Sequence, residues 1–329
     1  MKLSIFGGGA WGVTLAQVLV ENGHEVLIYD TKENMVNKIN HHMHPFFDCT
    51  IDSKIRATIN IQEIKDFSNY YVLAVPSKAV VDLLVQLNPL PKPILFINVS
   101  KGLDPQTFLT VGQMIKNYYP KKEIIGYVNL VGPSHAEEVI LHKLTLLVAA
   151  SKNIELAKEV QQIFSNTKYL RVYTSKDVIG TEICASAKNA MAIIGGVISG
   201  MPNMGENARA ALIVRGMNEL LILIKHLGGN KKTVYGLTGL GDLIVTATSN
   251  NSRNFRCGLR ISKGDTIEEI ISEEKQTIEG IRAIEAFYNI GQKYNMNLPI
   301  INSAYLLIFK HKDAQVIIKE LLTRSLKEE

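Results

Sequence analysis

The apolar residues of this chain follow two different patterns. Through the first half they gather in short runs, LSIF (3–6), VLIY (26–29), YYVLAV (70–75), ILFINV (94–99), IIGYVNLV (124–131) and LTLLVAA (144–150), each bounded by turn-forming residues. Short runs rich in β-branched and aromatic side chains read as strands. Between several of them lie stretches with helical spacing, at 11–22, 77–87 and 153–165, and YLRVY (169–173) supplies a last strand. This alternation predicts βαβ units, an α/β fold with a doubly wound, mostly parallel sheet and helices on both faces. After about Asp177 the strand pattern vanishes and helices are predicted at 178–199, 207–227, 266–273, 279–294 and 313–324. Gly228-Gly229 ends the second of these, as glycine commonly ends helices. The reading is therefore an α/β domain at 1–176 followed by an all-α domain at 177–329, with no internal repeat.

Length agrees with two domains, because 329 residues exceed the size at which single cores stop growing, roughly 250–300. Hydrophobic content of 46% and charged content of 20% belong to an ordinary globular chain. The net charge of +5, from 36 basic and 31 acidic residues, is spread out. Without a clustered basic stripe, nucleic acid and membrane surfaces are not expected partners, whereas a small anionic ligand is. The three cysteines, Cys49, Cys184 and Cys257, form neither a CxxC pair nor a metal-ligand spacing, which points to a reduced, cytoplasmic protein. Lys2 followed by apolar residues imitates a secretion signal. Glycines break the run, however, and it meets Glu21, Asn22 and Gly23 without a small-residue cleavage site. No uncharged apolar run approaches the ~20 residues of a membrane helix.

Chemistry enters first at GGGAWG. Gly7, Gly9 and Gly12 form G-x-G-x-x-G between the first strand and the first helix, the arrangement of a Rossmann-like phosphate cradle. The helix start offers free N–H groups and a positive dipole end to a pyrophosphate. A glycine turn without a ligand is the competing reading; the context on both sides favours the cradle. Asp30, 18 residues past Gly12 at the end of the second strand, stands where a carboxylate accepts from the ribose 2′-hydroxyl of NAD and repels a 2′-phosphate.

Further on, Lys188 is the one charged residue between Ile183 and Gly205. An ammonium on so apolar a helix needs either a carboxylate partner or a chemical role, since burial lowers a lysine's pKa toward that of a general base; the alternative is a lysine that packs its stem and extends its head to water. Composition leaves that choice open. Lys101 in NVSKGL and the Gly132–Ser134 turn in VGPSHAEEV follow strands at the sheet edge where such folds bind ligands. In GLTGLGDL, glycines before Asp242 predict a capped helix start. Ser252, Arg253 and Asn254 in TSNNSRN are a set suited to phosphate oxygens. His41, His42 and His44 cluster, but no acid or cysteine completes a metal set, and 41–55 is expected to be a solvated loop.

Taken in order, GGGAWG, AVPS, SKG, GPSHA, KNAMAI, NARAALIVRGMNE, GLTGLGDL, TSNNSRN and EGI (279–281) make the chain resemble the NAD(P)-dependent glycerol-3-phosphate dehydrogenases of bacteria, nearly end to end. The resemblance implies an oxidoreductase that interconverts sn-glycerol 3-phosphate and dihydroxyacetone phosphate and supplies glycerol 3-phosphate for phospholipids. By position it implies Lys188 as general base, with Lys101, Asp242, Asn189 and Thr246 beside it. It places substrate on Lys101, Gly132, Ser134, Lys188, Asp242, Ser252, Arg253 and Asn254. The dinucleotide falls to Gly7, Gly9, Ala10, Trp11, Gly12, Asp30, Lys101, Ala136, Arg253 and Glu279, and no metal is expected. The stretch YDTK, in place of the arginine frequent in the family, shifts the expected cofactor toward NAD, while Lys32 keeps NADP open. Segment 41–55 lacks the family's Asn and Tyr-Leu-Pro pattern. A homodimer is compatible with the resemblance. Two rival readings remain at this point, a β-hydroxyacid dehydrogenase of similar build and a non-catalytic dinucleotide sensor.

Overall fold

Leu3 and Ile5 project to one face of the first strand, β1 (Lys2–Phe6), and Ser4 and Phe6 to the other, and all four are buried. That double burial is the mark of a parallel sheet covered on both faces. The structure, a computed structural model, describes every residue except Pro105, Lys275, Gln276, Lys327 and Glu329. From β1 the chain runs through α1 (Ala10–Glu21), β2 (Glu25–Tyr29), α2 (Glu33–Asn40), β3 (Arg56–Thr58) and α3 (Ile61–Phe67). It returns through β4 (Tyr70–Leu73), α4 (Val80–Leu87), β5 (Ile94–Asn98), α5 (Val111–Tyr118), β6 (Ile124–Val131), α6 (Ala136–Val139), β7 (Thr145–Ala150), α7 (Ile154–Phe164) and β8 (Leu170–Ser175).

The eight strands lie in the order β3-β2-β1-β4-β5-β6-β7-β8, parallel throughout except where β6 meets β7. Phe6 of β1 stands between Tyr29 of β2 and Leu73 of β4 in register. The chain goes one way from β1 and the other way from β4, so a crevice opens beyond their C-terminal ends, where doubly wound sheets bind ligands. One face packs Leu3, Ile5, Ile28, Val72 and Ile97 against α1 and α7; the other packs Phe6, Tyr71 and Phe96 against α3, α4 and α5.

After Ser175 the described chain is helical: α8 (Val178–Gly200), α9 (Glu206–Leu227), α10 (Asp242–Thr248), α11 (Arg253–Ser262), α12 (Ile267–Glu273), α13 (Glu279–Lys293), α14 (Pro299–Phe309) and α15 (Ala314–Leu322). Helix α8 is long and apolar enough to cross a membrane by length and composition, yet it is the buried axis of this helical part. Asp177 caps it through the Gly180 N–H (3.0 Å) and also accepts from the Asn230 N–H and the Thr233 hydroxyl. Helix α11 crosses it at backbone contact. A Cβ on Gly196 would overlap the Phe255 carbonyl, and one on Gly258 would overlap the Ile193 carbonyl.

Three expectations differ from what is found. The strand expected at 70–75 ends at Leu73, because Ala74–Pro76 turn out of the sheet toward the crevice and Pro76 has no N–H for a ladder. Asp242 begins α10 but caps nothing; a π turn (Leu237–Gly241) leads straight into that helix and frees the carboxylate for another partner. The 41–55 segment is only partly a solvated loop: His41 is exposed, but His44 is buried at 3% exposure beneath α1, where the ring's own nitrogens find backbone partners.

The α8–α11 crossing leaves no room for a side chain. Gly258→Ala is expected to lower the unfolding free energy by about 2 kcal/mol or more, read as a reduced urea midpoint; an unchanged midpoint would show the contact to be looser than drawn.

Candidate active site

The crevice is a cleft of about 730 Å³ whose walls come from both parts of the chain. At one end lie the β1–α1 loop and Asp30. The other end holds Lys188 of α8, Asp242 and Thr246 of α10, and Ser252 to Asn254 at the start of α11.

At the glycine end, a Cβ on Gly12 would overlap the Gly7 carbonyl, so the third glycine lets α1 begin tight against β1. A Cβ on Gly9 would meet nothing within 4 Å, and Gly9 lines the cleft. A ligand backbone can therefore approach Gly9 where a side chain would otherwise stand. Helix α1 has neither a side-chain cap nor an acid in its first turn. Its unpaired N–H groups and dipole face the cleft, a fit for a dinucleotide pyrophosphate. The Asp30 carboxylate braces this loop, accepting from the Gly8 N–H (2.8 Å) and the Lys32 N–H (2.9 Å) while still lining the cleft.

At the far end Lys188 is 4% exposed and Asp242 1%, and they form a direct ion pair. Lys188 Nζ also donates to Thr246 Oγ1 at 3.0 Å, and that hydroxyl donates to the Asp242 carbonyl at 2.6 Å. Lys101 Nζ lies 3.7 Å from the other Asp242 oxygen, which has no hydrogen-bond partner within the protein. Burial drives the Lys188 pKa down to about 7; Asp242 opposes this and the Lys101 charge reinforces it. The ammonium and the amine are thus both well populated at neutral pH. Lys188 thus has a carboxylate partner, and its head lies in the cleft wall instead of extending to the outer surface.

Asn254 donates to Asn189 Oδ1 (3.0 Å) and accepts from the Gly280 N–H (2.9 Å), so its amide joins three helices. Arg253 donates to the Thr277 carbonyl at 3.1 Å, and burial lowers its pKa. Ser252 caps α11 through the Phe255 N–H at 3.2 Å. Across the domains, Glu279 accepts from the Ser77 hydroxyl (2.8 Å) and N–H (3.2 Å).

With this geometry in place, comparison with known proteins decides the family. Residues 2–157 match the family model described as NAD-dependent glycerol-3-phosphate dehydrogenase N-terminus, and 177–319 match its C-terminus. The chain belongs to the NAD-dependent glycerol-3-phosphate dehydrogenase family. It is 50% identical over 330 residues to glycerol-3-phosphate dehydrogenase (NAD(P)+) of Acholeplasma laidlawii, covering 100% of this chain and 99% of that protein. The protein of the same name from Staphylococcus haemolyticus is 38% identical over 332 residues, covering 100% and 99%. Among solved structures, glycerol-3-phosphate dehydrogenase of Coxiella burnetii superposes with a TM-score of 0.91 at 29% identity, over 98% of this chain and 99% of that one.

As a member of the glycerol-3-phosphate dehydrogenase family, the chain carries most of the residues singled out in its sequence on the wall of one cleft. These are Gly7, Gly9, Ala10, Trp11, Asp30, Lys101, Ser134, Ala136, Lys188, Asn189, Asp242, Thr246, Ser252, Arg253, Asn254 and Glu279. Gly12 and Gly132 are not among them. Gly12 packs helix on strand, and Gly132 is buried behind the cleft, where a Cβ would come within 2.9 Å of the Leu146 carbonyl. Gly132 shapes the turn through its carbonyl, which accepts from Ser134 Oγ at 3.2 Å. Sequence reasoning missed His135 and Phe46, which also line the cleft. His135 sits inside the quoted GPSHA motif, and its place between Ser134 and Ala136 was the available clue. Its Nε2 faces the Val245 carbonyl at 3.4 Å, and burial, then the Lys188 and Lys101 charges, lower its pKa.

Because Asp242 raises the Lys188 pKa and Lys101 lowers it, Asp242→Asn should move the Lys188 titration below about 7 and Lys101→Ala should move it above. Lysine Nζ titration by NMR checks both signs; a shift in the same direction for both variants would refute the arrangement.

Proposed function

We propose that this protein interconverts sn-glycerol 3-phosphate and dihydroxyacetone phosphate with NAD or NADP, using Lys188 as general base and acid. The observation that carries this reading is the buried Lys188–Asp242–Lys101 cluster at the end of a dinucleotide-shaped cleft. A dinucleotide held at Gly9, the start of α1 and Asp30 would supply the hydride acceptor, and in reverse the donor, for C2 of the substrate. Neutral Lys188 takes the proton of the C2 hydroxyl, and protonated Lys188 gives it back in the reduction. The Lys101 charge stabilises the oxyanion on that oxygen. Asp242 and Thr246 hold the Lys188 amine by the two contacts described, so its lone pair is aimed rather than free to swing.

The substrate phosphate belongs at the start of α11. There Ser252 caps the Phe255 N–H, which leaves the Arg253 and Asn254 N–H groups without intrahelical acceptors. With the Arg253 guanidinium beside them, they make an anion site remote from the reacting carbon, whose binding energy serves positioning. A β-hydroxyacid substrate has no use for this second anion site, and a non-catalytic sensor has none for a lysine held near neutrality.

On the cofactor, Asp30 keeps lone pairs for the ribose hydroxyls and repels a 2′-phosphate, while Lys32 on the same rim offers a counter-charge. The product, glycerol 3-phosphate, suits phospholipid synthesis. The three free cysteines accord with a cytoplasmic site of action.

Lys188→Ala should keep NADH binding and lose turnover by roughly 10²–10⁴-fold, measured by dihydroxyacetone phosphate-dependent NADH oxidation against binding titration. Wild-type kcat/KM for glycerol 3-phosphate oxidation should rise as pH passes upward through about 7, where the amine becomes neutral, and kcat/KM for the reduction should fall. Failure of dihydroxyacetone phosphate to support oxidation of NADH or NADPH, with a hydroxyacid pair active instead, sinks the substrate reading. Asp30→Ala should raise the ratio of kcat/KM for NADPH over NADH; an unchanged ratio refutes the role given to that carboxylate.

A further inference from the structure

Residues 41–55 lie directly against α1, the helix that follows the glycine cradle. The segment folds on itself, with the His44 N–H donating to the Cys49 carbonyl (3.0 Å) and the Ile51 N–H to the His42 carbonyl (2.9 Å). Its far end is tied to α1 by the Asp52 N–H, which donates to Gln17 Oε1 at 2.8 Å. Its near end is tied by the His44 ring. Nδ1 accepts from the Phe46 N–H (3.2 Å) and the Phe47 N–H (3.1 Å). A nitrogen that accepts two N–H groups carries no proton, so the ring proton is on Nε2. From there it faces the Ala10 carbonyl at 3.3 Å and Thr14 Oγ1 at 3.5 Å. Ala10 is the first residue of α1 and lines the cleft. Phe47 stacks on the imidazole with ring centroids 4.4 Å apart, whereas Phe46 lines the cleft.

We infer that His44 is a positioning residue for the dinucleotide: it fixes Phe46 as an aromatic wall of the cleft and locks that wall to the first turn of the cradle helix. This rests on the cofactor reading given above. The ring cannot be replaced by an apolar filler of its size without leaving two N–H groups short of an acceptor. Elsewhere the chain meets the same need with asparagine. Asn60 Oδ1 accepts from the Gln62 and Glu63 N–H groups, and Asn166 Oδ1 from those of Lys168, Tyr169 and Leu170. Histidine at 44 adds a second nitrogen on the opposite side of its ring, and this is the atom that reaches the Ala10 carbonyl. One side chain therefore sets both the turn that aims Phe46 and the distance of that turn from the cradle. Burial lowers the His44 pKa to about 4, which keeps Nδ1 an acceptor through the neutral range.

The test is an NADH fluorescence titration without substrate, run beside steady-state kinetics and a melting curve. His44→Ala should weaken NADH binding by about tenfold, with kcat and the KM for dihydroxyacetone phosphate within about twofold of wild type. Phe46→Ala should weaken binding similarly, and the double variant should be no worse than Phe46→Ala alone, because His44 acts through Phe46. His44→Asn keeps the two N–H contacts and loses the helix tie, so its loss should be only about threefold. Additive losses in the double variant, or His44→Asn as weak as His44→Ala, overturn the inference. If His44→Ala does not fold, the same cycle run with His44→Asn and Phe46→Ala decides by the same criterion of non-additivity. Wild-type protein that binds neither NADH nor NADPH overturns the cofactor reading and this inference together. Wild-type binding with undiminished binding by the folded His44 variants overturns this inference alone.

Discussion

The site depends on one interaction, the ion pair of Lys188 and Asp242, both almost wholly removed from water. Two buried charges repay their desolvation only with close geometry and further hydrogen bonds. The fold supplies these by fixing the backbone on both sides. Lys188 stands near the middle of α8, the most enclosed helix of the chain, whose start is anchored by Asp177 to the Asn230–Thr233 turn. Asp242 opens α10 straight out of a π turn, so no loop freedom separates it from its partner. The α8–α11 crossing, made possible by Gly196 and Gly258, then carries Asn254 and Arg253 to the same end of the cleft. Disturbing α8 would therefore reach Lys188, its carboxylate and the start of α11 together.

The cleft needs a second constraint, because its two walls belong to different parts of the chain. Buried polar contacts join them. Asn129 Nδ2 donates to Thr181 Oγ1 (3.1 Å), and Glu182 accepts from the Tyr127 hydroxyl (2.6 Å) and the Gly112 N–H (2.8 Å), all within a turn or two of Lys188 along α8. Asn98 extends this layer, donating to Asn129 Oδ1 and holding the backbone of Ser100 beside Lys101. Apolar packing would press the two parts together without choosing an orientation. Directional contacts between buried groups choose one, since any sliding leaves a donor or acceptor unpaired.

How much of this could be read from the chain alone follows from what kind of force places each residue. The strands of the sheet were legible because both of their faces are buried, and continuous apolar runs record that. The glycine cradle was legible because its spacing follows from sterics at Gly7 and Gly12. The elements α2, β3, α3, α5, α11 and α14 were not read. The first four are half-polar or only three to eight residues long, and tertiary context settles them. Asp242 shows the limit most plainly. Its place after glycines reads as a helix cap, but a partner 54 residues away claims the carboxylate. His44 was misread as part of a solvated cluster for the same reason, since nothing local reveals that α1 lies over it.

Two lysines share one carboxylate here, and their different burial separates their parts. The Lys188 side chain is 4% exposed and the Lys101 side chain 20%, at opposite oxygens of Asp242. Burial penalises charge on the inner lysine, and the neighbouring positive charge adds to the penalty, so the inner amine is the one that can release its proton near neutrality. The outer one is the more exposed of the two. In the proposed reaction, a C2 hydroxyl that gives its proton to Lys188 makes the inner group a cation as the oxygen becomes an anion, and the net charge of the enclosed cluster with its substrate does not change. Moving a proton inside a closed, low-dielectric space is cheap only when it creates no net charge there. A carboxylate buried between an inner and an outer lysine meets that condition in both directions of the proposed reaction.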